Sequence, residues 1–216
     1  MVCLKDIPVF STENGAASIV LREIPHGGGA YVRIHSTLEP WAFFEECGGF
    51  CRAAGAKAVF MTGHSALEER YPFHVSILRM CRPLEGEEAC DAALFPVQEE
   101  TLGQWLEAYN EKMRGVSNAA WMTREDGMAM LRRGDGYFVH RNGRLLGLGI
   151  AAGEKISAVA ALEPGAGAQV VRALTHAIFT DRVELEVASD NTRAIRLYER
   201  LGFVTVEELS RWYRFL

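Results

Sequence analysis

The chain has 216 residues, of which 49% are hydrophobic and 24% charged, with a net charge of -5, a globular composition large enough for one large domain or two small ones. The acidic balance leaves no basic footprint for nucleic acid, no apolar run is long enough to span a membrane, and no segment reads as a secretion signal, so the expected location is cytoplasmic. Five cysteines (Cys3, Cys47, Cys51, Cys81, Cys90) form no C-x-x-C pair and six histidines form no H-E-x-x-H, which points to reduced thiols and to no metal.

Along the first half, Ala17 to Ile24 and Ala30 to His35 read as strands around His26-Gly27-Gly28-Gly29, expected to be a flexible hairpin turn. Leu38-Glu39-Pro40 then precedes an apolar helical stretch with Trp41, Phe44, Cys47 and Cys51, followed by the strand-like Ala58 to Thr62. Arg82 to Glu88 is charged and carries Pro83 and Gly86, as a short linker would, and two domains are expected, 1–92 and 93–216. Glu99 to Met113 places Leu102, Leu106 and Tyr109 on one helix face with Trp105 nearby. Asn118 to Arg133 predicts another helix, and Tyr137 to His140 with Arg144 to Ile150 predicts a hairpin turning at Asn142-Gly143.

Further on, Ile156 to Leu162 reads as a strand and Gly165-Ala166-Gly167 opens a helix with Val170, Leu174 and Ile178 along one face. Glycines at such a turn let the backbone approach an anion, and a helix N-terminus adds about 0.3–1 kcal/mol for negative charge. Val183, Leu185 and Val187 alternate with Arg182, Glu184 and Glu186, the period of a strand with one buried face. Asp190 and Asn191 offer cap oxygens to a helix in which Ala194, Leu197, Tyr198 and Leu201 share a face, and Gly202 closes it.

From Asn191 to Phe203 the chain thus spells N-x-x-A-x-x-L-Y-x-x-x-G-F after a strand ending in Glu186-Val187, which closely resembles the C-terminal signature of the GNAT acetyltransferases, users of acetyl-CoA. The resemblance covers roughly the second half, from about Leu94. It implies an α/β fold, a mixed sheet flanked by helices. It also implies that Val159, Ala160 and Ala161 bind the pantetheine arm, that Gly165, Ala166, Gly167 and Ala168 cradle the pyrophosphate, and that Asn191 and Tyr198 complete the cofactor site, with no metal. The sequence departs from the family pattern at Leu162, where a basic or amide residue is usual, and at Pro164 in the turn.

Two catalytic roles follow from the same resemblance. Tyr198 would protonate the departing thiolate, uphill by roughly 2 kcal/mol for a phenol of pKa ~10 and a thiol of ~8.5. Glu186 would act as general base; the alternative is that it belongs to the strand alone. The implied reaction is N-acetylation of a small-molecule or peptide amine by direct attack, by a monomer or homodimer, and the rival is a non-catalytic GNAT module that binds a ligand or regulates.

A quieter signal lies in the first half. Leu38-Glu39-Pro40 and Leu162-Glu163-Pro164 each precede a helix and a strand, at a constant offset of 124 residues, which points to an internal duplication with an incomplete, GNAT-like N-terminal copy. That copy has Leu67 where Asn191 stands and His74 where Tyr198 stands.

Overall fold

The computed structural model describes residues 8–84, 90–117 and 119–216. Cys3, Gly86, Asn118 and most of the expected linker lie outside the described residues. The described chain divides into two units, residues up to Ile77 together with Glu208–Leu216, and Leu78–Glu207. This differs from a division at residue 92, because Phe73–Pro83 and Val204–Arg214 are continuous strands and the division falls inside each.

In the first unit, β1 (Val9–Thr12) and β2 (Gly15–Val20) form a hairpin, and β2 pairs antiparallel with β3 (Gly29–Thr37). The segment between β2 and β3 is not a simple hairpin turn. Ile24–Gly27 winds into one helical turn, α1, with proline at its start, where a fixed φ costs nothing, and Gly28 at φ 74° closing it through a bond from its N–H to Ile24 O. Helix α2 (Pro40–Ala53) follows, then β4 (Ala58–Thr62), parallel to β3, then the short α3 (Leu67–Arg70) and the start of β5 (Phe73–Pro83). The end of β11 (Val204–Arg214) pairs antiparallel with β4. Phe43, Phe44, Cys47 and Cys51 of α2 pack on Val32, Val59 and Met61. Burial pushes the Cys47 thiol up to about 12 and the Cys51 thiol up to about 11.

In the second unit the remainder of β5 is followed by β6 (Ala93–Pro96), a 3-10 turn (Glu99–Thr101), α4 (Leu102–Met113) and α5 (Arg124–Arg133). Then come β7 (Gly136–Arg141), β8 (Arg144–Ala152), β9 (Lys155–Ala161), α6 (Gly167–Thr175), β10 (Arg182–Ala188), α7 (Thr192–Arg200) and the start of β11. Strands β6 to β9 form an antiparallel meander, and β10 joins β9 in parallel. Asn142 and Gly143, at φ 51° and 76°, make the tight β7–β8 turn that their sequence predicts. Arg82 and Pro83 end β5 rather than entering a linker, and the Arg82 guanidinium stacks 5.3 Å above Phe203.

The sheet of this unit is covered on both faces. Val170 and Leu174 of α6 and Tyr198 and Leu201 of α7 pack with Val183, Leu185 and Phe203. Trp105 and Leu106 of α4 and Met130 of α5 pack with Leu148, Ala158 and Ala160. Gly147 and Gly149 on β8 are where α6 comes closest: a β-carbon at Gly147 would stand 2.7 Å from Val170 Cγ2. The fold is therefore α/β, a mixed sheet flanked by helices.

The repeat legible in the sequence extends to strand register. Tyr31 pairs with Phe60 and Val32 with Met61 in the β3–β4 ladder. Lys155 pairs with Glu184 and Ile156 with Leu185 in the β9–β10 ladder, and each of these residues lies 124 positions after its counterpart.

Candidate active site

The parallel ladder between β9 and β10 has two rungs, Glu184↔Lys155 and Leu185↔Ile156. Beyond them β9 continues to Ala161 and β10 to Ala188 without pairing, so the strands fork. On its other side β9 stays bonded to β8, with Ala160 opposite Leu148 and Leu162 N–H donating to Leu146 O at 2.9 Å. Backbone direction alternates along a strand, so the amides and carbonyls of Val159 and Ala161 are directed to the fork edge and those of Ala160 to β8. Their side chains separate the same way. Val159 and Ala161 join the apolar cluster of α6 and α7, and Ala160 joins the cluster of α4 on the opposite face.

At the open end of the fork the chain turns through Pro164 and Gly165, whose φ of 84° is a left-handed conformation that suits glycine. Ala166 N–H donates to Glu163 O at 3.2 Å, and the first helical bond runs from Val170 N–H to Ala166 O. The amides of Gly167, Ala168 and Gln169 therefore begin α6 with no acceptor among the described residues, and no side chain caps them. Gly167 also lets α7 approach: a β-carbon there would meet Leu197 Cδ2 at 2.8 Å.

Tyr198 lies in the same apolar cluster as Val159, Ala161, Ala166 and Ala168. It is 8% exposed, its ring is 5.8 Å from that of Phe203, and burial pushes its phenol up to about 12. It is thus a neutral hydroxyl in a dry setting across the usual working range. Asn191 caps α7, its Oδ1 accepting Ala194 N–H at 3.2 Å. The neighbouring Asp190 carboxylate accepts the Ser117 hydroxyl at 2.6 Å.

Glu186 stands apart from this cluster. It is exposed on β10, and its carboxylate accepts from Lys155 Nζ at 2.5 Å. Glu184, on the same strand face, pairs with Arg79 at 3.8 Å, and Arg79 also reaches Glu207 at 2.8 Å. Lys155 escaped the sequence reading, although the register that pairs it with Glu184 follows from the 124-residue repeat once Tyr31↔Phe60 is known. Among the described residues no group of three or more His, Cys, Asp or Glu is arranged to hold a metal ion, and no helix is long and apolar enough to cross a membrane.

Residues 159–213 match the family model described as FR47-like protein. None of the curated proteins compared matches the chain. Among solved structures, the chain is similar to a GCN5-related N-acetyltransferase from Anabaena variabilis, with TM-score 0.63, 13% identity, and coverage of 99% of this chain and 63% of that one. It is similar to a GCN5-related N-acetyltransferase from Sphaerobacter thermophilus, with TM-score 0.55, 15% identity, and coverage of 92% and 75%. A tandem GNAT protein from the clavulanic acid biosynthesis pathway aligns at TM-score 0.52 and 14% identity, over 93% of this chain and 78% of that one. Over nearly its whole length the chain thus shares the fold of GCN5-related N-acetyltransferases, and its C-terminal segment is similar to the FR47-like family.

Proposed function

We propose that the second unit is an acetyl-CoA-dependent N-acetyltransferase acting on an amine. The observation that carries this reading is the fork: two rungs of β9–β10 pairing, then a free strand edge at Val159 and Ala161 leading to the uncapped start of α6. A pantetheine arm has amide groups at a spacing that a free strand edge can bond, and a pyrophosphate suits three unpartnered amides at a helix N-terminus. Tyr198, in the cluster that also holds Val159 and Ala168, supplies the proton. Attack by the amine forms the C–N bond, the C–S bond breaks, and the thiolate takes the phenolic proton.

The proton transfer has an energetic condition. A phenol at about 12 gives its proton to a thiolate of ordinary pKa ~8.5 uphill by about 5 kcal/mol. Desolvation raises a thiol as it raises a phenol, so a thiolate formed in the same apolar cluster is a stronger base and the gap narrows. Glu186 acts as base for the incoming amine, with Lys155 holding its carboxylate in place.

A second reading, a non-catalytic GNAT module, is favoured by Leu162 in place of a polar anchor and by the engagement of Glu186 with Lys155. Under either reading the first unit is a degenerate copy. Calorimetric titration with acetyl-CoA separates the two: micromolar binding and turnover of an amine support the enzyme, and no detectable binding favours the module.

A further inference from the structure

The first unit holds a cavity of about 420 Å³ beyond the carboxyl end of β4, flanked by β3 and β11. The carboxyl ends of parallel strands are where open α/β sheets form ligand crevices, and this volume is within the range of small-molecule sites, about 300–1,000 Å³. Its chemistry is one-sided. Arg33, Thr62, His64, Ser65 and Arg211 line it, and no Asp or Glu is among the lining residues.

Arg33 has no ion pair among the described residues. Thr62, 2% exposed, also lines the cavity. His64 accepts Ala66 N–H on Nδ1 at 3.2 Å, so in its neutral form the proton sits on Nε2 as a further donor. Of the cavity's two arginines Arg211 is paired with Glu208 at 2.6 Å, and Glu68 accepts from the lining Tyr213 at 3.3 Å, so Arg33 is the cation left for a ligand.

We propose that this cavity binds a small oxyanion-bearing metabolite, a phosphate ester or a carboxylate, as a site separate from the β9–β10 fork. Coenzyme A does not suit it. Helix α2 begins with Pro40, which has no N–H, and its cap is Glu39, whose charge opposes a pyrophosphate.

The test follows amide resonances of the isotope-labelled full chain during separate titrations with inorganic phosphate, succinate and acetyl-CoA. The expected result is saturable shifts at Gly63, His64 and Ser65 with phosphate or succinate, weakened about tenfold by Arg33→Gln and also weakened by Thr62→Val. Saturation by phosphate alone identifies a phosphate ester, and by succinate alone a carboxylate. Absence of saturable shifts at Gly63–Ser65 with both anions overturns the proposal, as does an unchanged response in both variants. Displacement of phosphate from these residues by acetyl-CoA also overturns it. Failure of acetyl-CoA to move Gly167 and Ala168 would count against the proposed transferase and leave this site untouched.

Discussion

Leu174 of α6 packs so closely on Gly149 of β8 that no β-carbon fits between them, and a β-carbon there would also lie 2.6 Å from the carbonyl oxygen of Ala158. Gly147 makes the same accommodation for Val170 two rungs away. These two glycines set how near α6 lies to the sheet, and hence where its uncapped N-terminus stands relative to the free edge of β9. Gly149→Ala cannot be relieved by a rotamer change alone, because one of the clashing atoms is backbone. It is expected to cost about 2–3 kcal/mol in a urea unfolding midpoint, at the upper end for overpacking, and to weaken acetyl-CoA binding by displacing α6. A stability equal to wild type would show that the helix is free to shift.

Much of this arrangement was legible in the sequence. Strand β10 and the β7–β8 turn came from alternation and from Asn142-Gly143, and α7 from its cap, apolar face and Gly202. What was not legible is long-range. The two-rung fork depends on where β9 and β10 stop pairing, and the Glu186–Lys155 contact joins residues 31 positions apart. The His26–Gly29 turn was misread because three successive glycines suggested a hairpin, whereas Pro25 and a left-handed Gly28 are also the start and stop of one helical turn. Ala160, expected with its neighbours at the cofactor, directs its backbone to β8, since strand alternation allows only every second residue to serve the fork.

Gly165 tests the turn ahead of α6. At φ 84° a β-branched side chain is strained, so Gly165→Val is expected to cost about 1–3 kcal/mol and to distort the approach to Gly167 and Ala168. The wild-type protein should gain about 2.7 kcal/mol of stability at an acetyl-CoA concentration 100 times its Kd. The variant should show little of that gain at the same concentration, read as a thermal shift, and an undiminished gain would remove the turn from the binding site.

Asn191→Ala removes the acceptor for Ala194 N–H. Loss of such a cap is expected to lower stability by about 1 kcal/mol, measured by denaturant unfolding. Asn191→Asp should retain most of it, because a carboxylate also accepts from the first-turn amides. Equal losses in both variants would mean that Asn191 acts through something other than the cap.

Glu186→Gln separates a base from a surface ion pair. The pair with Lys155 is about one-third exposed on each side, and its loss should change stability by less than about 1 kcal/mol. If Glu186 accepts a proton from the amine, kcat should fall by about 10²-fold with acetyl-CoA affinity unchanged. Lys155→Met, which keeps the carboxylate but releases it from its partner, should lower kcat less than Glu186→Gln does. A full-rate Glu186→Gln enzyme would assign the pair to the strand alone.

Tyr198 makes two separable predictions, one chemical and one thermodynamic. As the acid, Tyr198→Phe should lower kcat by about 10²-fold and leave acetyl-CoA binding nearly unchanged. Its titration supplies an independent check on burial. The phenol is raised from 10.0 to about 12 in the folded protein. The folded state therefore disfavours the phenolate, so this contribution to stability is fully present below pH 10 and is lost as pH rises towards 12, amounting to about 2–3 kcal/mol. Cys47 and Cys51, raised from 9.0 to about 12 and about 11, act in the same direction from pH 9 upward. Both proteins should thus lose stability in alkali, but Tyr198→Phe should lose less between pH 10 and pH 12 while matching wild type near neutrality. Parallel curves would mean that the phenol is solvated in solution, and a solvated phenol would need no desolvated thiolate partner to act as an acid.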